Sequence, residues 1–445
     1  MKPNKPENTA AQSEFFKIRL ESFLNMRHPL IRLAREINWE FFEKEFGKNF
    51  TENKGRPGLS TRLMVGLTYL KHTYNCSDEM LIEQFLESGY WQYFCGFEYF
   101  QHEFPCDSSS MTRFRKKIGD EGAEKLLRET LQVARNLGAL KVKHLSQVVT
   151  DTTVQEKNIT FPTDAKLCAK AAQVLVKEAS IRGIVLRQKY PFVLKYFLLK
   201  YSGYAHAKQY NRAKNTLKKI KTILGRIMRD IERKGGHLDE KFIEKMNIAR
   251  VLLKQERHSK NKIYSIHEPQ TECIAKGKAH KKYEFGCKVS FTTTVKSNYV
   301  IGAMALKGNP FDGHTLKEAV KQAEILTGNT IKDIFADKGY RGSEHWPIGK
   351  GVYLSGRKNL TPTMKRLLKR RSAIEPIIGH MKHDHRMSRN LLKGTAGDRI
   401  NPILAAAAFN LRKNLRYIEA KFFLCLKILL KKMKMEGQIL LPIHF

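Results

Sequence analysis

Apolar positions in the first third of the chain recur at a helical period. Leu30, Leu33, Ile37, Phe41 and Phe42 follow His28-Pro29 and mark one face. Ser60 stands where an N-cap belongs, ahead of Leu63, Leu67 and Leu70. Ser77 precedes Asp78 and Glu79, acids placed at the positive end of a helix dipole. After Pro105 and Ser108-Ser109-Ser110 comes a short basic helix, Thr112 to Lys117, which Gly119 ends. Another helix is expected from about Glu121 to Leu137, stopping at Gly138. The pattern then changes. His144 to Thr150 is β-branched, ends in Asp151-Thr152-Thr153, and predicts a strand. From Asp164 to Ile263 the helical period returns. Tyr283–Val295 and Tyr299–Leu306 read as strands joined by a Ser297-Asn298 turn. A helix over His314–Leu326, closed by Gly328-Asn329, and a strand over Ile331–Ala336 follow, and Leu360–His380 is mostly helical. This order predicts an α/β chain in which helices pack on a mixed sheet. An all-helical domain precedes the sheet, and a long helical insertion interrupts it.

Composition sharpens the picture. The chain has 445 residues, 42% of them apolar, which excludes a mostly disordered protein and allows two or three domains. Lys and Arg number 81 against 43 Asp and Glu, for a formal net charge of +38. A surplus this large repels itself unless a polyanion offsets it, so nucleic acid leads as partner. No stretch approaches the roughly 20 apolar residues of a membrane span; the best run, Phe422 to Leu430, is short and holds Lys427. Met1 to Ser13 is polar, with no secretory signal, and the seven cysteines form no CxxC pair. These features fit a reducing, cytoplasmic setting and speak against a disulfide framework or a zinc site.

The positive charge is concentrated. Arg113, Arg115, Lys116 and Lys117 give the basic helix either a helix-turn-helix-like role on DNA or a plain solvated face. From Lys208 to Lys234 ten basic residues, Lys221 among them, meet only Asp230 and Glu232; a solvated helix face is the default reading of such a run, and a face that tracks DNA phosphates is the alternative that its single sign raises beside it. The tail from Lys421 to Phe445 alternates apolar side chains with Lys427, Lys431, Lys432 and Lys434; this amphipathic pattern suits packing on its own domain or on a second subunit.

Acids in such a chain invite a reason. Asp151 and Asp337 each close an expected strand, and ligands of open α/β sheets collect at the carboxyl ends of strands. Glu375 is the one acid between Glu344 and Asp384. It sits four residues after Arg371, so an ion pair on one helix face is the structural reading and a metal ligand the functional one. Three carboxylates suit Mg²⁺, and two such ions about 4 Å apart can clamp the attacking and leaving oxygens of an in-line displacement at phosphorus. By spacing alone Asp164, Glu284, Asp312 and Asp333 also qualify.

Four blocks carry a resemblance. Asp151-Thr-Thr-Val-Gln155, Phe161-Pro-Thr-Asp-Ala-Lys-Leu167, Ala336-Asp-Lys-Gly-Tyr-Arg-Gly342 and Arg371-Ser-Ala-Ile-Glu375-Pro-Ile-Ile-Gly-His-Met-Lys382 resemble the DDE transposases of bacterial insertion sequences. The group they are most similar to is the insertion-sequence-five family, whose Arg-x3-Glu-x6-Lys signature matches Arg371, Glu375 and Lys382. Asp384 to Gly394 and the segment from His28 to Arg115 also resemble it, so the likeness spans about residues 28–413. Leu368 departs, standing where the family has Tyr.

The resemblance implies an RNase H-like catalytic fold. It implies Asp151, Asp337 and Glu375 as catalytic and metal-binding triad, Mg²⁺ or Mn²⁺ in a two-metal site, and Arg371 and Lys382 on DNA. The partners are then double-stranded DNA, as terminal inverted repeats and target, and a second copy of the chain. The expected domains are 1–140, helical and DNA-binding; 141–413, catalytic, with the insertion at about 164–263; and 414–445, a basic amphipathic tail. Two rivals stay open: a catalytically silent DNA-binding derivative, and an RNase H-like nuclease without strand transfer.

Overall fold

A computed structural model of the protein describes residues 18–48, 58–107, 109–236, 238–256, 258–275 and 282–435, the side chains beyond 422 excepted. Ser108, the N-terminus from Met1 to Ser13 and the apolar-basic alternation of the tail from Phe423 onward lie outside the described residues. The chain forms two compact units, one from 1–155, 288–392 and 396–445, the other from 156–287 and 393–395. Seven strands occur among the described residues: β1 (Gln147–Lys157), β2 (Glu272–Ala275), β3 (Tyr283–Thr294), β4 (Val300–Leu306), β5 (Asp333–Ala336), β6 (Gly351–Leu354) and β7 (Arg389–Asn390).

The first unit opens with helices. The apolar run at Leu30–Phe42 is two helices, Pro29–Glu36 and Trp39–Gly47, not one, because Ile37 is extended and Asn38 caps the second by accepting from Phe41 N at 3.0 Å. Thr61–Thr73 is buried almost all round, and Tyr69 Oη donates to Leu126 O at 2.8 Å. Ser77 caps Asp78–Glu87 as expected, accepting from Met80 N at 3.1 Å. Residues Ser109–Asn136 form two helical segments broken at Gly119, whose φ of +64° is a left-handed value that glycine adopts freely.

The sheet of this unit runs β3-β1-β5-β6, with β1, β5 and β6 mutually parallel and β4 antiparallel on β3. Asn298, with φ of +52°, turns the β3–β4 hairpin. The helix Asp312–Thr327 packs Leu316, Val320 and Ala323 on Val148, Ile301, Ile334 and Val352 of the sheet, and Leu131 and Ala134 join the same core. Gly328, at φ +63°, ends that helix. A long last helix, Gly394–Met435, ties the layers by polar contacts. Asn410 accepts from Val300 N at 3.0 Å and donates to Val300 O at 2.8 Å and Thr130 Oγ1 at 3.2 Å. Asn414, one turn on, accepts from Tyr299 Oη and donates to Thr130 O. The fold is thus mixed α/β with a mostly helical N-terminal region.

The second unit holds the expected helical insertion. Asp164–Ile181, Pro191–His206, Tyr210–Lys234 and Glu240–Lys254 enclose Leu175, Leu194, Ile220, Ile227, Phe242 and Met246. Arg182 forks onto both carboxylate oxygens of Asp239 at 2.9 and 2.8 Å. β2 pairs antiparallel with the start of β3, Glu272 opposite Gly286.

Candidate active site and cationic surfaces

β1 does not stop at Asp151. It continues to Lys157, and the polar residues Thr153, Gln155 and Lys157 are buried in it, so Asp151 lies within the strand. The parallel ladder pairs Gln147 with Asp333, Val148 with Ile334 and Val149 with Phe335. Continued two positions, that register sets Asp151 level with Asp337, which directly follows β5. Adjacent strands lie about 4.8 Å apart, so the two carboxylates share one end of the ladder. Asp151 Oδ1 accepts from Thr152 N at 2.8 Å. Burial, followed among charges by those of Asp337 and Asp312, pushes the Asp151 carboxyl up to about 6, against the pull of Thr152 N–H and Arg371. Asp337 turns the chain out of β5 by accepting from Gly339 N.

A third aspartate joins them. Asp312 opens the helix Asp312–Thr327, takes a 2.8 Å hydrogen bond from Thr152 Oγ1, and pairs with Lys288 Nζ at 2.6 Å. Gly339 sits between the acids: a Cβ there would lie 2.9 Å from both Asp312 Oδ2 and Asp337 Oδ1, so one carboxylate end would have to shift. Tyr340 is fully buried beside the three aspartates; burial first, then their negative charge, holds its phenol well above the usual range. Its hydroxyl faces that of Ser290 without completing a hydrogen bond, and neither oxygen has another partner.

Glu375 stands apart in kind. The segment expected to be mostly helical is so, in three consecutive pieces: Pro362–Lys369, a 3₁₀ turn Arg370–Ala373, and Ile374–Asp384. Glu375 lies in the first turn of the last piece and is exposed. Arg371 lies in the 3₁₀ turn and acts on Asp151, which brings this segment's charge to the aspartates, and Arg370 anchors the turn by donating to Val295 O at 3.0 Å. Lys382 is half-buried on the helix that carries Glu375. Asp151 and Asp337 are hard oxygen donors of the kind that divalent cations take. As they stand, no group of three His, Cys, Asp or Glu side chains among the described residues is set to hold a metal ion.

The basic helix divides by face. Arg113, Lys116 and Lys117 are exposed, whereas Arg115 points inward with Phe114, donates to Thr112 Oγ1 at 3.1 Å, and leaves Nη1 buried without a partner. Arg115 is therefore withdrawn from any surface that this helix offers. In the second unit, Arg212, Lys214, Lys218, Lys219, Arg226 and Arg229 line the exposed side of Tyr210–Lys234. Lys221 does not belong with them: it donates to Leu253 O and Gln255 O at the end of the neighbouring helix. Arg233 and Lys234 are partly neutralised by Asp230. No helix among the described residues is long and apolar enough to cross a membrane.

Comparison with known proteins finds two families on this chain. Residues 18–117 match a transposase domain family (DUF772), and residues 354–415 match a transposase DDE domain. Arg371, Glu375 and Lys382 fall inside the second match, and Asp151 and Asp337 outside both. An uncharacterized protein, ORF8 in the nfe locus of Rhizobium meliloti, is 45% identical over 210 residues, which is 47% of this chain and all of that protein. No solved structure matches. Both family matches fall on transposase domains, one of them the DDE domain, and the chain accordingly belongs to the DDE transposases of insertion sequences.

Proposed function

We propose that this transposase binds the terminal inverted repeats of its element and cuts and rejoins DNA strands by metal-dependent phosphoryl transfer, with Asp151, Asp337 and Glu375 as the catalytic acids. The observation that carries the reading is the register that sets Asp151 level with Asp337 beside the Arg371 segment. A sheet with β1 between β3 and β5 and helices on it accords with an RNase H-like fold, and the Arg371, Glu375, Lys382 spacing with the insertion-sequence-five group.

Mg²⁺ or Mn²⁺, when bound, supplies Lewis-acid activation of water or a 3′-hydroxyl and offsets charge on the leaving 3′-oxygen. Asp151 and Asp337 offer the hard oxygens that hold such ions. Thr152 N–H fixes one oxygen of Asp151, and Gly339 N–H one of Asp337, so both carboxylates are oriented before DNA arrives. Glu375 closes the site from the helix that follows the 3₁₀ turn. Arg371 and Lys382 neutralise phosphates next to the cut strand, while Arg113, Lys116 and Lys117 and the stripe from Arg212 to Arg229 orient the duplex by its backbone. Residues 1–140 serve as the repeat-binding domain and 141–413 as the catalytic one, working in the cytoplasm as a dimer or larger assembly on DNA, with 414–445 available for pairing.

The test is cleavage of DNA carrying the element's ends, with Mg²⁺ or Mn²⁺. Loss of cutting in Asp151→Ala, Asp337→Ala and Glu375→Ala is expected; cutting equal to wild type in all three rejects the triad. The exposure of Glu375 favours, as second reading, a DNA-binding derivative that does not cut; binding without cleavage under any metal selects it. Cut ends that are never joined to a target select a nuclease.

A further inference from the structure

We propose that the cavity lined by Arg412, Lys413 and Arg416 is a seat for one backbone phosphate of bound DNA, set apart from the cutting site on the far side of the helix that carries Glu375. The inference rests on DNA as the partner in the reading above, and on no metal or cleavage step.

Three helices of the first unit meet at this cavity of about 330 Å³: the end of Thr61–Thr73, the end of Ile374–Asp384 and the middle of Gly394–Met435. Arg412, Lys413 and Arg416 lie within five consecutive residues of the last helix and form one wall. Of the lining residues only Asp384 is acidic, and His380 Nδ1 already holds it at 2.7 Å. Among the described residues none of the three cations makes an ion pair. Instead Arg412 lies over the Tyr74 ring at 5.5 Å, and Lys413 Nζ over the Tyr299 ring at 5.1 Å. Burial, then the charge of Arg416, pulls the Lys413 ammonium below its usual range. Like charges gathered in a partly desolvated place are held at a cost that an anion removes.

The competing explanation is that these cations only offset the two helix C-termini, whose carbonyl ends attract positive charge. Those carbonyls have other donors, however. His72 O meets His385 Nδ1 at 3.0 Å, and His383 O accepts from Asn75 Nδ2 at 3.1 Å. The occupant is a phosphate rather than a base, because the rings at the cavity are engaged by protein neighbours. Tyr74 packs on Trp91, centroids 5.2 Å apart, and beneath Arg412, while Phe409 meets His385. Phosphate oxygens in turn match the guanidinium fork. Helical spacing places the seat. His380 and Asp384, five and nine positions after Glu375, fall roughly 140° and 180° round the helix from it, whereas Lys382, seven positions on, falls within about 20°. The cavity thus faces away from Glu375 and Lys382.

Phosphate-ethylation interference on a duplex carrying the element's ends, bound by the full-length chain in EDTA, tests the seat without cutting. The double variant Arg412→Gln with Arg416→Gln is expected to lose the interference at one phosphate and keep it at the others. Its log–log salt dependence should flatten by about 0.9 for that contact. Lys141→Gln with Lys143→Gln removes the same charge at exposed positions elsewhere and should keep the whole pattern. Interference and slope equal to wild type in the Arg412 and Arg416 variant overturn the seat and leave the proposed function standing; a lowered melt beside that unchanged pattern identifies helix-end neutralisation alone. Loss of the same phosphate in the Lys141 and Lys143 variant reveals a diffuse field and also overturns the seat. Failure of the wild type to bind DNA overturns both readings. Melts in phosphate and in chloride at equal ionic strength check the other source: stabilisation by phosphate that the double variant lacks, with an unchanged interference pattern, assigns the cavity to a free anion and rejects DNA. Should the double variant fail to fold, Arg416→Gln alone, at an exposed position, decides by the same pattern: loss at that phosphate supports the seat, and no change rejects it.

Discussion

Asp337, the residue that follows β5, continues the register that pairs β5 with β1 and so comes level with Asp151, and burial, reinforced by the charges of Asp337 and Asp312, lifts the Asp151 carboxyl from an ordinary 3.8 to about 6. The folded chain therefore holds that proton more tightly than the unfolded chain. Stability falls as pH rises from about 4 to about 6 and stays lowered above it. The full shift corresponds to about 3 kcal/mol. Asp151→Asn removes the charge and keeps an acceptor for Thr152 N. In the presence of a chelator it should unfold later than wild type at pH 7.5 by up to that amount, and the difference should shrink to below about 1 kcal/mol at pH 4. Denaturant unfolding at the two pH values measures it; equal stability at pH 7.5 contradicts a destabilising Asp151 charge.

Gly339 separates Asp312 from Asp337, and a methyl group there meets an oxygen of each at 2.9 Å. Gly339→Ala is expected to turn one carboxylate away. Misplacement by about 1 Å costs on the order of 100-fold in rate, so end cleavage should drop by that factor. Melting should stay near wild type, since the displaced atoms are side-chain ends. Gly203→Ala, in a helix with nothing within 4 Å of the new carbon, is the control and should gain up to about 1 kcal/mol. Full cleavage by Gly339→Ala would show that the two carboxylates need not hold these positions.

Much of this arrangement was readable from residue pattern. The hairpin around Asn298, the helix ends at Gly119 and Gly328 and the N-cap Ser77 follow from local rules, because backbone handedness and orphan N–H groups are local matters, whereas Ser60 sits at its expected N-cap position without a side-chain cap hydrogen bond. The extent of β1 was not. Thr153, Gln155 and Lys157 look like the end of a strand, yet each is buried: Gln155 takes a hydrogen bond from Asn401 Nδ2 at 2.8 Å, and Lys157 pairs with Glu268 at 3.0 Å. Such partners are distant in sequence. β2 and β6, four residues each, are too short to show alternation. Asp312 was one of several eligible acids, and at a helix start an acid needs no further explanation; only the fold sets it beside Asp337. Arg115 was hidden by its neighbours, since a basic run does not say which of its members faces inward.

Asn410 is fully buried and satisfies both backbone groups of Val300 while reaching Thr130. Asn410→Ala strands a buried N–H and a buried C=O at the join between the last helix, β4 and the helical N-terminal region. Each orphaned group costs about 1–3 kcal/mol. A loss of about 2–4 kcal/mol is expected in urea unfolding, with little change in slope. Asn410→Asp should cost at least as much, because the acid cannot donate to Val300 O and carries an uncompensated charge. A loss below about 1 kcal/mol would mean that water replaces the amide.

The two faces of the basic helix should part cleanly in DNA binding. Arg113 and Lys116 are exposed and Arg115 is buried. If the exposed pair neutralises phosphates, Arg113→Ala with Lys116→Ala weakens binding to any duplex. It should also flatten the log–log salt dependence by about 0.9 for each phosphate contact removed. Arg115→Met keeps length and apolar bulk and discards a buried charge whose Nη1 is unpaired. Replacing a buried ion by an apolar side chain of similar volume is often neutral or stabilising, so this variant should melt at or above wild type. Its salt slope should be unchanged. A flatter slope in Arg115→Met would place its guanidinium on DNA and require the helix to roll when DNA binds; an unchanged slope in the double variant would remove this helix from the interface and leave the Arg212 to Arg229 stripe of the second unit as the surface to test next.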